Sequence, residues 1–312
     1  MPFACTSGLY DWCGKAAKVP NACAVAIANF VSREPGDAEW SHIGLIEPVE
    51  QGSFVHDLDG TARLLTVQFN ERKLPASVRD KEIKKRYEDL MAKGDRALNK
   101  KEYAQLKEDV ENALLPQAFV VPSQVPVLVY RDRILVCSSS AKRVESVLHL
   151  IVRMCDARKV QLEFSEIETT DSPGFLIGQM ARNGVQPLNN GGTLAAGKKG
   201  KFKGEDKRTI SVSDRDMSAD EVQKILSDST YTVVELATTL HDNDDGNVIC
   251  SFTLTDKFVF KGVKLSDITM SGIEGRDKDD MHATYWLLAK TFKQLIDAVI
   301  DALNGDEGDD DL

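Results

Sequence analysis

Between Glu71 and Glu108 the chain carries 12 lysines and arginines against 8 acidic residues. That local balance of +4 sits inside a 312-residue protein whose formal charge is −10. Arg72, Lys73, Lys81, Lys84, Lys85, Arg86, Lys93, Arg96, Lys100, Lys101 and Lys107 make up most of the run. Cations in a row can neutralise a row of phosphates, because each one that meets a phosphate releases a condensed counterion. The interleaved Glu and Asp also allow a plainer reading, a solvated helix face. Lys198–Arg208 is a second cluster, with 6 basic and 2 acidic residues, whereas from Asp297 onwards there are 7 acidic residues and no basic one. The charge is segregated along the chain. An acidic total therefore does not exclude a polyanionic partner, and it is compatible with a basic inner surface and an acidic outer one.

Other residue patterns carry less chemistry. Gly192-Thr-Leu-Ala-Ala-Gly-Lys198-Lys199 approaches a phosphate loop but has Lys199 where a Ser or Thr must hold magnesium, and Pro187-Leu-Asn-Asn-Gly precedes it instead of a strand. His241-Asp-Asn-Asp-Asp-Gly246 would put His241 first and Phe252 twelfth in a calcium loop, where carboxylates are needed. A polar hairpin turn explains it better. The Asp306–Asp311 run reads as a solvated tail. Cys5, Cys13, Cys23, Cys137, Cys155 and Cys250 show no paired spacing suited to zinc and read as reduced thiols. No nucleophile triad or HExxH motif is visible, so neither an enzyme nor a cofactor is expected. The longest apolar stretch, Ala22–Val31, is too short to span a bilayer and lacks the basic start of a signal peptide, which predicts a cytoplasmic protein without a membrane partner.

The elements that must position the cations are predictable. Arg63–Asn70 reads as a strand, and Pro75 punctuates before a helix over Ala76–Lys93. Gly94 breaks that helix, and Asn99-Lys-Lys-Glu102 opens a second with a capping box, ending at Pro116. Together they form an antiparallel helical hairpin that projects as a finger. A helix from Asn21 to Val31, strands Val125–Tyr130, Arg133–Cys137 and Lys159–Phe164, and a helix Ser140–Cys155 are also expected. A further helix begins at Ser172-Pro173. Residues 183–207 read as a long flexible basic loop. Ser218-Ala-Asp-Glu221 is a second capping-box signature. Tyr231–Leu240 and Val248–Leu254 form a hairpin, Lys257–Val263 a third strand, and Asp279–Leu303 a closing amphipathic helix. Antiparallel strand pairs with packed helices place the fold in the α+β class. The organisation expected is 1–74 and 121–182 as a central region, 75–120 as the finger, 183–207 as the loop, 208–304 as a C-terminal α+β region and 305–312 as an acidic tail.

Glu71-Arg-Lys-Leu-Pro75, Leu98-Asn-Lys-Lys-Glu102, Leu106-Lys-Glu-Asp-Val110 and Leu114-Leu-Pro-Gln-Ala-Phe119 resemble the RdgC family of recombination-associated proteins. Ser140-Ala-Lys142, Asp216-Met-Ser-Ala-Asp-Glu-Val222 and Leu295–Gly305 continue the resemblance. It implies a subunit of a ring-shaped homodimer whose basic hole admits duplex DNA, binding double and single strands without sequence preference and restraining RecA. It also implies association with the nucleoid. The resemblance carries Arg96, Lys100, Lys101, Phe119 and Lys142 over as contact positions, and with the cation run and two departures the expected DNA-contacting set is Arg72, Lys73, Lys84, Lys85, Lys93, Arg96, Lys100, Lys101, Gln117, Phe119, Lys142 and Arg215. Gln117 stands where the family usually has Arg, and Ser213-Asp214 replaces a basic pair, leaving Arg215. Phe119 either seats in the partner subunit or stacks on a base, unless it is a core residue at the helix end. The alternatives are a metal-dependent exonuclease and a protein-interaction module with weak DNA affinity.

Overall fold

The computed structural model describes residues 7–13, 28–49, 52–94, 97–131, 133–138, 140–157, 163–243, 245–270 and 278–304. The chain divides into two units, one of residues 1–22, 47–65 and 126–312, the other of residues 23–46 and 66–125. The class is α+β, with antiparallel sheets and, among the described residues, seven α-helices.

The smaller unit contains strand β2 (Ser41–Ile46) paired antiparallel with the end of the long strand β4 (Ala62–Lys73). Gly44 lies in β2 because a Cβ there would come within 2.5 Å of the Ser32 backbone. Pro75 then precedes helix α1 (Ala76–Lys93), and α2 (Lys100–Leu114) follows. A 3-10 turn over Leu115–Gln117 leads into strand β5 (Phe119–Val129), which starts earlier than the apolar run at Val125 suggests.

The larger unit holds β1 (Ser7–Cys13) between β6 (Arg133–Cys137) and β7 (Glu163–Glu166), and β6 also pairs with the end of β5. Strand β3 (His56–Leu58) forms a hairpin with the start of β4. Helix α3 (Ala141–Asp156) buries Val144, Val147, Leu148 and Ile151 of the expected stripe together with Leu150 and Met154, while Val152, also expected on it, is only half-buried. Helix α4 (Pro173–Asn183) has the expected Ser172 cap, whose Oγ accepts from the Phe175 N–H.

A second sheet runs β10-β9-β11-β12-β13, with β8 also on β9, where β8 is Val185–Pro187, β9 Thr193–Gly204, β10 Thr209–Ser213, β11 Tyr231–His241, β12 Val248–Thr255 and β13 Phe260–Leu265. This corrects the flexible-loop reading of residues 183–207. β9 is flanked on both sides, and its Gly200, Phe202 and Gly204 face inward while Lys199, Lys201 and Lys203 alternate outward. The alternation is a strand signal that glycine and lysine content concealed. The phosphate-loop lookalike is the start of this strand.

The second capping box is also corrected. Helix α5 (Asp220–Ser227) begins after Ala219 with no side-chain cap, because Ser218 donates from N–H and Oγ to Asp216 Oδ1. These bonds hold the Asp216 carboxyl below the usual carboxylate range. In the β11–β12 turn, Asp242 Oδ1 accepts from the Asp245 and Asn247 N–H groups, so the carboxylate serves the turn itself. A short helix α6 (Asp267–Met270) and the long α7 (Lys278–Asn304) finish the chain. Leu288, Phe292, Leu295, Ile296, Val299 and Leu303 of α7 are all buried in a core shared with Leu135, Met180, Phe202 and Leu254. Tyr130 Oη donates to the Ala289 carbonyl at 2.8 Å within the same core. Burial of Cys250 pushes its thiol up to about 12, so it stays protonated and unreactive.

Most of the expected Asn21–Val31 helix and of strand Lys159–Phe164 lies outside the described residues, as does the acidic tail; Ala28–Phe30 is a 3-10 turn. No helix among the described residues is long and apolar enough to cross a membrane.

Candidate nucleic-acid interface

Asn99 caps α2 as its sequence demands: its side chain accepts from the Lys101 and Glu102 N–H groups at 3.0 Å, and the Asn99 N–H donates to Glu102 at 2.9 Å. Ile83 of α1 packs with Leu106 and Val110 of α2, with Tyr87, Leu98 and Leu114 around them. Arg79 reaches Glu111, and the rings of Tyr87 and Tyr103 meet edge to face at 5.8 Å. Position 79 therefore lies beside 111 and 87 beside 103, so the two helices run antiparallel. The apolar seam uses few residues. Most of each helix surface is left for charge.

The cations on that surface differ in how far they are already engaged. Arg79 contacts Asp80 and Glu111, Arg86 contacts Glu82 at 2.9 Å, and Lys73 contacts Glu71 at 3.1 Å. Lys84 approaches Glu88 only to 3.9 Å, an exposed pair of little energetic weight. Among the described residues Lys81, Lys85, Lys100 and Lys101 are exposed and have no carboxylate within ion-pair distance. Lys107 Nζ lies 4.8 Å from the centre of the Tyr103 ring. Between the helices runs an open groove of about 750 Å³, with Tyr87 and Tyr103 among its walls and Arg79, Lys84, Lys100 and Lys107 around it. The side chain of Lys93 and the whole of Arg96 lie outside the described residues.

Arg72 has a different occupation. Its Nη1 donates to the carbonyls of Leu115, Pro116 and Ala118, and its Nη2 to that of Pro35. The guanidinium thus ties strand β4 to the turn that follows α2. Among the expected contact residues, this one is committed to holding backbone together.

Gln117 is exposed at the end of the 3-10 turn, and Phe119 is 74% exposed at the start of β5. Phe119 is therefore not a core residue at the helix end. Val121, two positions on and hence on the same face, is 44% exposed. Lys142 and Arg215 belong to the larger unit, where both are exposed. Arg215 donates its N–H to the Lys198 carbonyl, which places it beside β9.

The larger unit has its own basic face. Lys199, Lys201 and Lys203 of β9 stand opposite Ser213, Ser211 and Thr209 of β10. Glu235 on β11 binds Lys261 at 2.8 Å and Lys201 at 3.7 Å, which leaves Lys199 and Lys203 without an acidic partner among the described residues. Hydroxyls and ammonium groups on a flat sheet are donors suited to phosphate oxygens and carry no base-reading geometry.

Comparison with known proteins gives this arrangement a context. A family model described as "Putative exonuclease, RdgC" matches residues 16–306. The chain belongs to the RdgC family. It is similar to the protein named "Recombination-associated protein RdgC" of Pseudomonas entomophila (strain L48), 27% identical over 300 residues and 92% of each chain. The proteins of the same name from Pseudomonas putida (strain GB-1) and Psychromonas ingrahamii are each 26% identical, covering 92% and 90% of this chain and 92% and 91% of their own.

Within this RdgC-family chain the expected contact residues separate by environment. Lys84 and Lys100 border the groove, Lys85 and Lys101 are exposed on the helix pair, and Arg72 is enclosed by carbonyls. Tyr87 and Tyr103 were not among the expected contacts, whereas Lys107 and the β9 lysines stood in the two basic clusters without being named as contact residues. The tyrosines carried a readable signal: in two antiparallel helices, positions of constant sum meet. The lysine row carried one too, in its strict alternation. No group of three or more His, Cys, Asp or Glu that could hold a metal ion occurs among the described residues.

Proposed function

We propose that this RdgC-family protein is a cytoplasmic, nucleoid-associated DNA-binding protein that works without sequence preference. Two copies close into a ring around duplex DNA, also accept single strands, and restrain RecA-promoted strand exchange by occupying the DNA on which a filament would grow. The helix pair acts as the finger of each subunit. The supporting observation is the set of unpaired, exposed lysines on that pair, Lys81, Lys85, Lys100 and Lys101, in a protein that is acidic overall. Exposed ammonium groups on helical ridges track phosphates and read no bases. Outward carboxylates keep the protein soluble while the inward lysines displace counterions.

Removing two of these cations tests the reading. In K85Q/K101Q, which removes four cations from a two-copy ring, the slope of log affinity against log salt becomes shallower by up to about 3.6 on duplex and about 2.8 on single strand, because each phosphate contact contributes about 0.9 and 0.7 to it respectively. An unchanged slope would show that the helix pair does not meet phosphate.

Closure into a ring draws on Phe119 and Val121, an exposed apolar pair that suits burial against a second copy. Light scattering should give twice the chain mass. F119D, which puts a charge into that contact, should give a smaller average mass; a single-chain mass for the unaltered protein would remove the ring.

The family description also names an exonuclease. Such hydrolysis commonly uses carboxylates that hold a divalent metal against the scissile phosphate. The described residues assemble no such group, and no hydrolytic step is derived from them. End-labelled DNA incubated with Mg²⁺ or Mn²⁺ decides the matter, since shortened products would establish the activity.

A further inference from the structure

We propose that the groove between α1 and α2 is a seat for unpaired bases of single-stranded DNA, with Tyr87 and Tyr103 receiving the base and Lys84, Lys100 and Lys107 the flanking phosphates. The inference rests on the DNA-binding reading and assigns a separate task to one part of the helix pair.

Three observations support it. First, the groove is large enough, at about 750 Å³, for a nucleotide, and it combines aromatic wall with mainly basic surroundings, in which the carboxylate of Asp80 is paired with Arg79. Base-on-aromatic stacking beside a cationic track is the general chemistry of single-strand binding. Second, Tyr103 is 37% exposed, so its ring is not consumed by the core even though Tyr87 meets it edge to face. Third, Lys107 rests over the Tyr103 ring at 4.8 Å. A cation held there by the ring alone can swing to the phosphate of a base that takes its place, which exchanges one favourable contact for two. Among the described residues Lys100 has no acidic partner to compete with that phosphate, and Lys84 has only the exposed, 3.9 Å contact with Glu88.

An acidic peptide would satisfy the lysines but leave the tyrosine faces unused. A paired base cannot enter, because its faces are covered by its neighbours in the stack. The groove therefore discriminates by strand state, whereas Lys85 and Lys101 do not border it and serve both forms.

The test compares a short oligothymidylate with a duplex of equal length, at one fixed low salt concentration. Y103L keeps an apolar side chain at the groove but removes the stacking surface. Its single-strand affinity should fall roughly tenfold, the usual loss for one stacked base, with duplex affinity unchanged and the melting temperature lower by no more than a few degrees, about what the lost edge contact with Tyr87 would cost. Y103F should behave as the unaltered protein. As an independent readout, an oligonucleotide carrying 5-iododeoxyuridine should photo-crosslink to a peptide containing Tyr87 or Tyr103. Equal loss for both forms of DNA, or no loss with a crosslink elsewhere, overturns the groove assignment and leaves the DNA-binding reading standing. Protection of Tyr103 by an acidic peptide but not by the oligonucleotide overturns it in favour of a protein ligand. If the unaltered protein binds neither DNA, both readings fall.

Discussion

Affinity for labelled duplex DNA should fall about 10³- to 10⁵-fold as monovalent salt rises from roughly 50 to 200 mM, the response expected when 6–10 phosphates are neutralised. The size of the effect follows from the inventory of free cations. On the helix pair, Lys81, Lys85, Lys100 and Lys101 have no acidic partner among the described residues, and Lys84 is only loosely held. On the β9 face, Lys199 and Lys203 are equally uncommitted. In the proposed ring two copies of the chain present these groups twice, so a count in that range needs only part of them. The exposed ion pairs elsewhere barely matter, since each contributes little even at low salt. A titration followed by fluorescence anisotropy measures the slope directly. Affinity that stays flat across this range would end the account of an acidic protein holding DNA through segregated lysines.

The largest expected effect on stability belongs to Arg72. Its guanidinium serves four carbonyls from two distant segments, Pro35 on one side and Leu115, Pro116 and Ala118 on the other. Its Nε is buried without a partner, so desolvation already offsets part of the gain. Truncation leaves the carbonyls short of donors and frees the end of α2 from β4. R72A should therefore lose about 2–4 kcal/mol, by the usual cost of removing a charged donor from a part-buried network. At about 2–4 °C per kcal/mol for a chain of this order of size, the melting temperature should drop by roughly 5–15 °C. R72K should not restore it, because a single ammonium cannot match the planar fork that spans these acceptors. A thermal melt followed by circular dichroism is the measurement. Unchanged melting with weakened DNA binding would instead return Arg72 to the list of phosphate contacts.

The difference between Arg72 and Lys85 shows where sequence reading stops. Both are basic residues of the same run, and charge pattern treats them alike. Lys85 stays exposed because its helix turns it away from the seam of Ile83, Leu106 and Val110. Arg72 is captured by carbonyls 37 to 46 residues away in sequence, which no local pattern announces. Strand β9 was hidden for another reason. Its glycines and lysines are poor strand formers taken singly, and only the flanking β10 and β11 make the segment a central strand. The unused Ser218 cap is a third case, since Asp216 competes for the hydroxyl.

The sequence by itself determined the α+β class, the helix pair with its Asn99 cap, the β11–β12 hairpin, the buried stripe of α7 and the family. These depend on the 3.6- and 2-residue periods, on caps and on turns, all of which act over a few neighbouring residues. Only the tertiary structure decided which cations are free, which are tied, and which share a groove with Tyr87 and Tyr103. Those outcomes depend on which remote segment lies within hydrogen-bonding reach of a side chain, and that distance exists only once the elements have packed.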